Sequence, residues 1–136
     1  MSRDSLSKRV RNAGLPLDKI IVIGSGVLEA YGIRAAQDID LAVEPELFRK
    51  LEEMGWTPTM ASWGEKYFVK GDCEAWAGWT EPDQDKPGYH DLLPDTVEID
   101  GIRYMSLTYV KAWKQRKARS KDQQDVELIS AYEEKL

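Results

Sequence analysis

The chain has 136 residues, 42% of them hydrophobic and 32% charged, with a formal net charge of −5. That length suits a single domain that buries roughly two-thirds of its unfolded surface without staples. The acidic balance excludes the broad cationic surface on which non-specific nucleic-acid coating and extensive duplex binding depend. No apolar run approaches the roughly 18 residues of a membrane span, and residues 1–14 hold no signal-like apolar stretch. The one cysteine, Cys73, leaves no internal disulfide and no cysteine-based zinc site. A cytoplasmic protein with no membrane partner is the expectation.

Residues 4–13 predict a short helix with Asp4 or Ser5 as N-cap and Leu6 and Val10 on one face. Gly14-Leu15-Pro16 ends it. Ile20–Ile23 is apolar on both faces, as a central strand covered on two sides should be. It breaks into Gly24-Ser25-Gly26, and a helical segment, Val27–Tyr31, runs to Gly32. Asp38–Val43 reads as the second strand. Pro45 suits the first helical position of the next helix, whose apolar stripe is Leu47, Phe48, Leu51 and Met54, with Gly55 as its stop.

Trp56–Met60 reads as a short edge strand. Lys66–Lys70 and Cys73–Trp79 flank Gly71-Asp72, a hairpin turn, and Val97–Ile99 and Ile102–Met105 flank Asp100-Gly101, a second one. Between them residues 80–95 hold three prolines and no periodicity, so a long loop is expected, carrying His90, the only histidine. With one histidine, a Ser-His-Asp triad or a histidine metal site has no partners. Leu107, Val110 and Trp113 begin a terminal helix; Ser120 with Gln123 reads as a capping box that starts another, with Val126, Ile129 and Tyr132 or Glu133 inward. The fold class is α/β (α+β): one domain over residues 1–136, core about 18–130, with a mixed sheet of about five strands flanked by helices.

The chemistry concentrates in two places. In a strand, residues i and i+2 share a face about 6.5 Å apart, so Asp38 and Asp40 aim two carboxylates at one small volume while Ile39 and Leu41 point away. Like charges so placed raise each other's pKa unless a cation lies between them, and hard oxygens in this arrangement suit Mg²⁺ with substrate phosphates. Upstream, glycines between strand and helix let backbone N–H groups approach an anion, with the Ser25 hydroxyl beside them. Glu29 stands where a dinucleotide fingerprint has its third glycine, and no Gly-Lys-Ser/Thr follows, so neither that fingerprint nor a P-loop is present. The second place is the acid-free run Lys111, Lys114, Arg116, Lys117, Arg119 and Lys121.

Strand, Gly24-Ser25, twelve intervening residues, then Asp38-Ile39-Asp40-Leu41 resembles the DNA polymerase beta-like nucleotidyltransferase superfamily, in a small single-domain version. Arg34 before the acid pair, and Lys114, Lys117, Arg119, Lys121, Asp122 and Asp125 in the tail, also resemble small members of that group. The resemblance covers residues 18–130 and implies a nucleotidyltransferase-like fold. It implies metal-dependent transfer of a nucleoside monophosphate from an NTP such as ATP to a hydroxyl acceptor (a small molecule, an RNA end or a protein). Two Mg²⁺ ions would be the cofactors and the NTP the co-substrate. Asp38 and Asp40 would be catalytic metal ligands, joined by a third acid on a neighbouring strand. Glu74 and Glu98 are the candidates, the remaining alternative being that there is no third acid; the family's strand order favours Glu74, although the family more often has Asp there. Gly24, Ser25, Arg34, Lys114 and Lys117 would hold the nucleotide.

Alternatives remain open at this level. Lys114 reaches a triphosphate or takes part in an interhelical turn, in which Arg119 and Lys121 pair with Asp122 and Asp125. Trp76 and Trp79 stack on a base or fill the core. The rival function is a non-catalytic nucleotidyltransferase-like module that binds a nucleotide or a protein, in some settings as part of a toxin–antitoxin pair.

Overall fold

A computed structural model describes residues 5–79 and 87–136. Helix α1 (Leu6–Asn12) starts at Ser5, whose hydroxyl accepts from the Lys8 backbone N–H at 3.2 Å. A short 3₁₀ turn leads into β1 (Ile20–Ile23), every residue of which is buried. Gly24 turns the chain at φ +63°, a conformation that favours glycine, into α2 (Ser25–Ala30). Then come β2 (Ile39–Val43) and α3 (Pro45–Lys50), with Pro45 at the first helical position. The Glu44 carboxylate accepts from the backbone of Glu46 and Leu47, closing the start of α3.

Helix α3 is shorter than its apolar stripe predicts. Leu47 and Leu51 are buried and Phe48 packs edge-on against Phe68, but Met54 lies in the turns after the helix and is exposed. Strands β3 (Thr57–Met60), β4 (Lys66–Lys70) and β5 (Cys73–Trp76) follow. Strand β5 stops short of Trp79, because Gly78 forms an isolated bridge with Gly88 so close that a side chain there would strike the Pro87 carbonyl.

The predicted loop 80–95 is partly helical: α4 (Tyr89–Leu92) and a 3₁₀ turn, Leu93–Asp95, fill its second half, while residues 80–86 lie outside the described part. His90 therefore sits on a short helix, exposed and edge-on to Tyr89. Burial of Tyr89 and Leu92, not periodicity, holds this turn of helix in place. The hairpin of β6 (Thr96–Ile99) and β7 (Ile102–Met105) turns at Asp100-Gly101, both with positive φ, as a two-residue type I′ turn requires. The chain closes with α5 (Leu107–Lys117) and α6 (Ser120–Glu134). Helix α6 is closed by Asp122, which accepts from the Arg119 backbone N–H, one residue earlier than the Ser120–Gln123 spacing predicts.

The sheet has seven strands, not about five, in the order β3-β4-β5-β2-β1-β7-β6. Both hairpins and the edge strand join one sheet instead of forming separate ribbons. Strand β1 makes this possible: apolar on both faces, it pairs antiparallel with β2 and parallel with β7. Strand β2 pairs parallel with β5, so one contiguous sheet runs from β3 to β6. Pro58 is tolerated because β3 is an edge. On β2, Ile39, Leu41 and Val43 point into one buried layer, leaving Asp40 and Ala42 on the opposite face.

Candidate active site

The register of the sheet brings the predicted acids together. Asp40 on β2 lies directly beside Glu74 on β5, and beside Ile23 at the end of β1. Residues paired in this way share a face, so the two carboxylates meet, and either one, when protonated, can donate to the other. Burial first, then the Glu74 charge and that hydrogen bond, with Asp38 adding, pushes Asp40 up to about 8. Glu74 is raised too: burial and the Asp38 charge outweigh the opposing contributions of Asp40 and the Trp76 indole. At neutral pH, without a cation, the pair shares a proton. Asp38, just before β2, is exposed at the rim of the same depression. Glu98, the other candidate for a third acid, is exposed on β6 opposite Arg103, three strands from β2.

Gly24 brings the backbone against this pair; a β-carbon there would lie 3.4 Å from Asp40 Oδ2. Two adjoining cavities open at this point. The inner one, about 140 Å³, is lined by Gly24, Ser25, Asp40, Trp79 and Trp113, and by the charged groups Arg34, Lys114, Arg119, Lys121 and Asp125. The outer one, about 380 Å³, runs past Ser25, Arg34, Gln37, Asp38 and Asp40, within the size range of about 300–1,000 Å³ common for small-ligand sites.

The far wall is an ordered charge network. Arg34 clasps Asp125 through Nε at 2.7 Å and Nη2 at 2.9 Å, and Nη2 also donates to Ser25 Oγ at 2.9 Å. Lys114, almost fully buried, reaches Asp125 at 2.9 Å and Asp122 at 3.6 Å, and Arg119 clamps Asp122 at 2.6 Å. The hydrogen bond that Arg34 donates to Asp125 raises the guanidinium further. For both aspartates burial opposes ionisation, but Arg119 and Lys114 at Asp122, and Arg34 and Lys114 at Asp125, win and hold them below the ordinary carboxylate range. The sequence pairing of Asp122 with Arg119 thus occurs, whereas Asp125 is taken by Arg34 and Lys114. Lys117 lies over the Trp113 ring, 5.7 Å from its centre, away from the cavity lining. Trp76 and Trp79 are both buried.

Two contributors escaped the sequence reading. Arg9, 8% exposed, donates from Nε and Nη2 to Asp72 and from Nη2 to the Gln37 carbonyl at 2.9 Å, with the Ala36 carbonyl and Glu29 at 3.4 Å. Glu29 in turn accepts from the Ala36 N–H at 2.7 Å. One guanidinium therefore ties the segment that ends in Asp38 to the turn that leads into Glu74. Its signal was available: Arg9 stands three residues after Leu6, on the helix face otherwise filled by apolar side chains. Cys73, beside this turn, is buried and raised to about 11, so it is no nucleophile at neutral pH.

Among the described residues, no group of three His, Cys, Asp or Glu side chains converges as a ready metal cage. Mg²⁺ does not require one: it typically binds through one or two carboxylates and completes its shell with water and substrate phosphates. Two touching carboxylates that must share a proton for want of a cation, with a third at the rim, are a donor set that fits such an ion.

Neither a protein-family model nor a curated protein matches the chain. Among solved structures it aligns with ANT(2")-Ia, an aminoglycoside nucleotidyltransferase of the polymerase beta-like superfamily, in complex with adenylyl-2"-tobramycin. The alignment has a TM-score of 0.51 and 17% identity, and covers 93% of this chain and 84% of that one. The chain has the nucleotidyltransferase fold. In that fold the glycine turn, the acid pair and Glu74 stand on three adjacent strands, β1, β2 and β5. No helix among the described residues is long and apolar enough to cross a membrane.

Proposed function

We propose that the chain transfers a nucleoside monophosphate from an NTP to a hydroxyl acceptor. The observation that carries this is the placement of Glu74 directly beside Asp40, which itself lines a cavity whose other wall is cationic. Asp38, Asp40 and Glu74 would hold Mg²⁺, which when bound screens the carboxylates and neutralises charge developing on the transferred phosphoryl group.

The residues of the chain do the rest. Gly24 and Ser25 border the phosphates, with Gly24 leaving the room that a side chain beside Asp40 would take. Helix α2 is only six residues long, so its dipole adds little. Arg34 and Lys114, with Lys121 and Arg119 beside them, hold the charge of the leaving pyrophosphate. The geometry of Arg34, Lys114 and Arg119 is already fixed by Asp122 and Asp125, so little reorganisation is needed when the nucleotide arrives. The acceptor oxygen bonds to the α-phosphorus, the bond from that phosphorus to the bridging oxygen breaks, and pyrophosphate departs. The hydroxyl proton passes to the Glu74 carboxylate. The adenylylated ligand in the ANT(2")-Ia structure is the kind of product such a step makes.

Each α-labelled NTP, offered with Mg²⁺ and a cell extract, should transfer label to an acceptor, and Asp38→Asn with Asp40→Asn should abolish transfer. Transfer that survives this pair of substitutions refutes the assigned site. Binding of Mg²⁺-NTP without transfer points instead to the non-catalytic module.

A further inference from the structure

In-line displacement requires the attacking oxygen to stand opposite the departing pyrophosphate. The cationic wall that would hold the pyrophosphate adjoins Gly24 and Ser25, just past the end of β1. From there the sheet passes to Asp40 on β2, Glu74 on β5 and then to β4. Strand β4 is therefore the first beyond the acids, and an oxygen that it carries on their face lies on the attacking side.

The register says which oxygen that is. Val69 pairs with Glu74, so Val69 and Tyr67, two residues apart, share the face of the acids, while Phe68 pairs with Ala75 on the buried one. Tyr67 is the diagonal neighbour of Glu74, about 7–8 Å away and within reach of an aromatic side chain. Its ring stacks on Trp76 with centres 4.1 Å apart and planes 6° from parallel. It is half-buried, and its hydroxyl makes no hydrogen bond among the described residues. Burial, then the charges of Glu74, Asp40 and Asp38 in that order, raise the phenol above its ordinary value, so the hydroxyl lies in the field of all three acids. The Ser25 hydroxyl, by contrast, stands on the pyrophosphate side and accepts from Arg34 at 2.9 Å.

Resting on the nucleotidyl-transfer reading above, we infer that Tyr67 is itself an acceptor and that the chain nucleotidylates its own phenol. The Tyr67 oxygen bonds to the α-phosphorus of the bound NTP, the bond from that phosphorus to the bridging oxygen breaks, and pyrophosphate leaves. The phenolic proton passes to the Glu74 carboxylate, and the product is a phosphodiester between Tyr67 and the nucleoside. Nucleotide and acceptor belong to one molecule, so the transfer is intramolecular.

The test uses the intact protein with Mg²⁺ and each α-labelled NTP in turn, without extract or any added acceptor. Label should become covalently bound to the protein, intact mass should rise by one nucleoside monophosphoryl group, and peptide mass spectrometry should place it on Tyr67. The rate constant should not depend on protein concentration, and γ-labelled NTP should leave no label. Tyr67→Phe keeps the ring on Trp76 and removes only the oxygen; it should lose the label while calorimetry still shows Mg²⁺-NTP binding. Absence of an adduct, an adduct on a different residue, or label retained by Tyr67→Phe overturns the proposal. So does label that appears on Asp40→Asn protein when it is mixed with Tyr67→Phe protein, because that transfer runs between molecules. Those results leave the transfer reading standing as long as Mg²⁺-NTP binds and an acceptor in extract is labelled; loss of NTP binding in the unsubstituted protein refutes that reading instead.

Discussion

Two pairs of carboxylates, each with one member (Asp40 or Asp125) lining the same cavity, live under opposite electrostatic rules. Asp122 and Asp125 are buried, yet Lys114, Arg34 and Arg119 surround them and keep them ionised. Asp40 and Glu74 lie side by side with no cationic partner among the described residues, and their pKa values rise. The first pair is held in place by its own cations. The second has no such partners among the described residues, and under the proposed function it is where Mg²⁺ would be held. Burial alone does not distinguish structural from functional acids here; the partners do.

Substitutions should separate the two pairs. Asp40→Asn should cost transfer activity on the order of 10³-fold, the scale of several kcal/mol of lost phosphoryl-charge stabilisation. It should also raise the melting temperature of the metal-free protein by relieving repulsion with Glu74, which calorimetry would read. Asp125→Ala should do the reverse in the fold, destabilising it by about 3–5 kcal/mol in denaturant titration, because the buried Lys114 and Arg34 lose their partner. If both substitutions destabilise alike, the contrast between the pairs is wrong.

Arg9→Met tests whether the acid pair depends on its support. Removing the tie among Asp72, Glu29 and the Gln37 carbonyl should lower activity by about 10–100-fold, the usual range for groups that orient metal ligands. Apparent Mg²⁺ affinity should fall with it, measured by titrating activity against the ion.

The pH response has two limbs. Acids raised by folding hold protons that the unfolded chain has already released, so Asp40 and Glu74 favour the fold below about pH 4, and that contribution is lost as pH rises towards about 8. Asp122 and Asp125 are lowered, so their contribution is complete above the unfolded value of 3.8 and lost as pH falls beneath it. Metal-free melting temperature should therefore decline between pH 5 and pH 8 in steps of about one unit. Millimolar Mg²⁺ at pH 8 should restore about 2–4 °C. A flat profile with no Mg²⁺ effect would contradict the electrostatic contrast.

Local chemistry was legible wherever it depends on neighbours in sequence. The apolar quartet Ile20–Ile23, the glycine turn, the alternation through Asp38–Leu41 and the two Gly-containing hairpin turns follow from backbone sterics and strand periodicity, and each appears where expected. The resemblance carried by Gly24, Ser25, Asp38 and Asp40 led to the right fold. All seven strand segments could be read, but not that they share one sheet, because strand pairing is decided by which buried faces meet across long sequence separations. That same pairing chose Glu74 over Glu98 as the neighbour of Asp40. It gave Asp125 to Arg34, 91 residues away, and made Arg9 of α1 a support for the acid pair. Tertiary structure alone settled these, since each joins groups that the chain separates and only a common core brings within hydrogen-bonding distance.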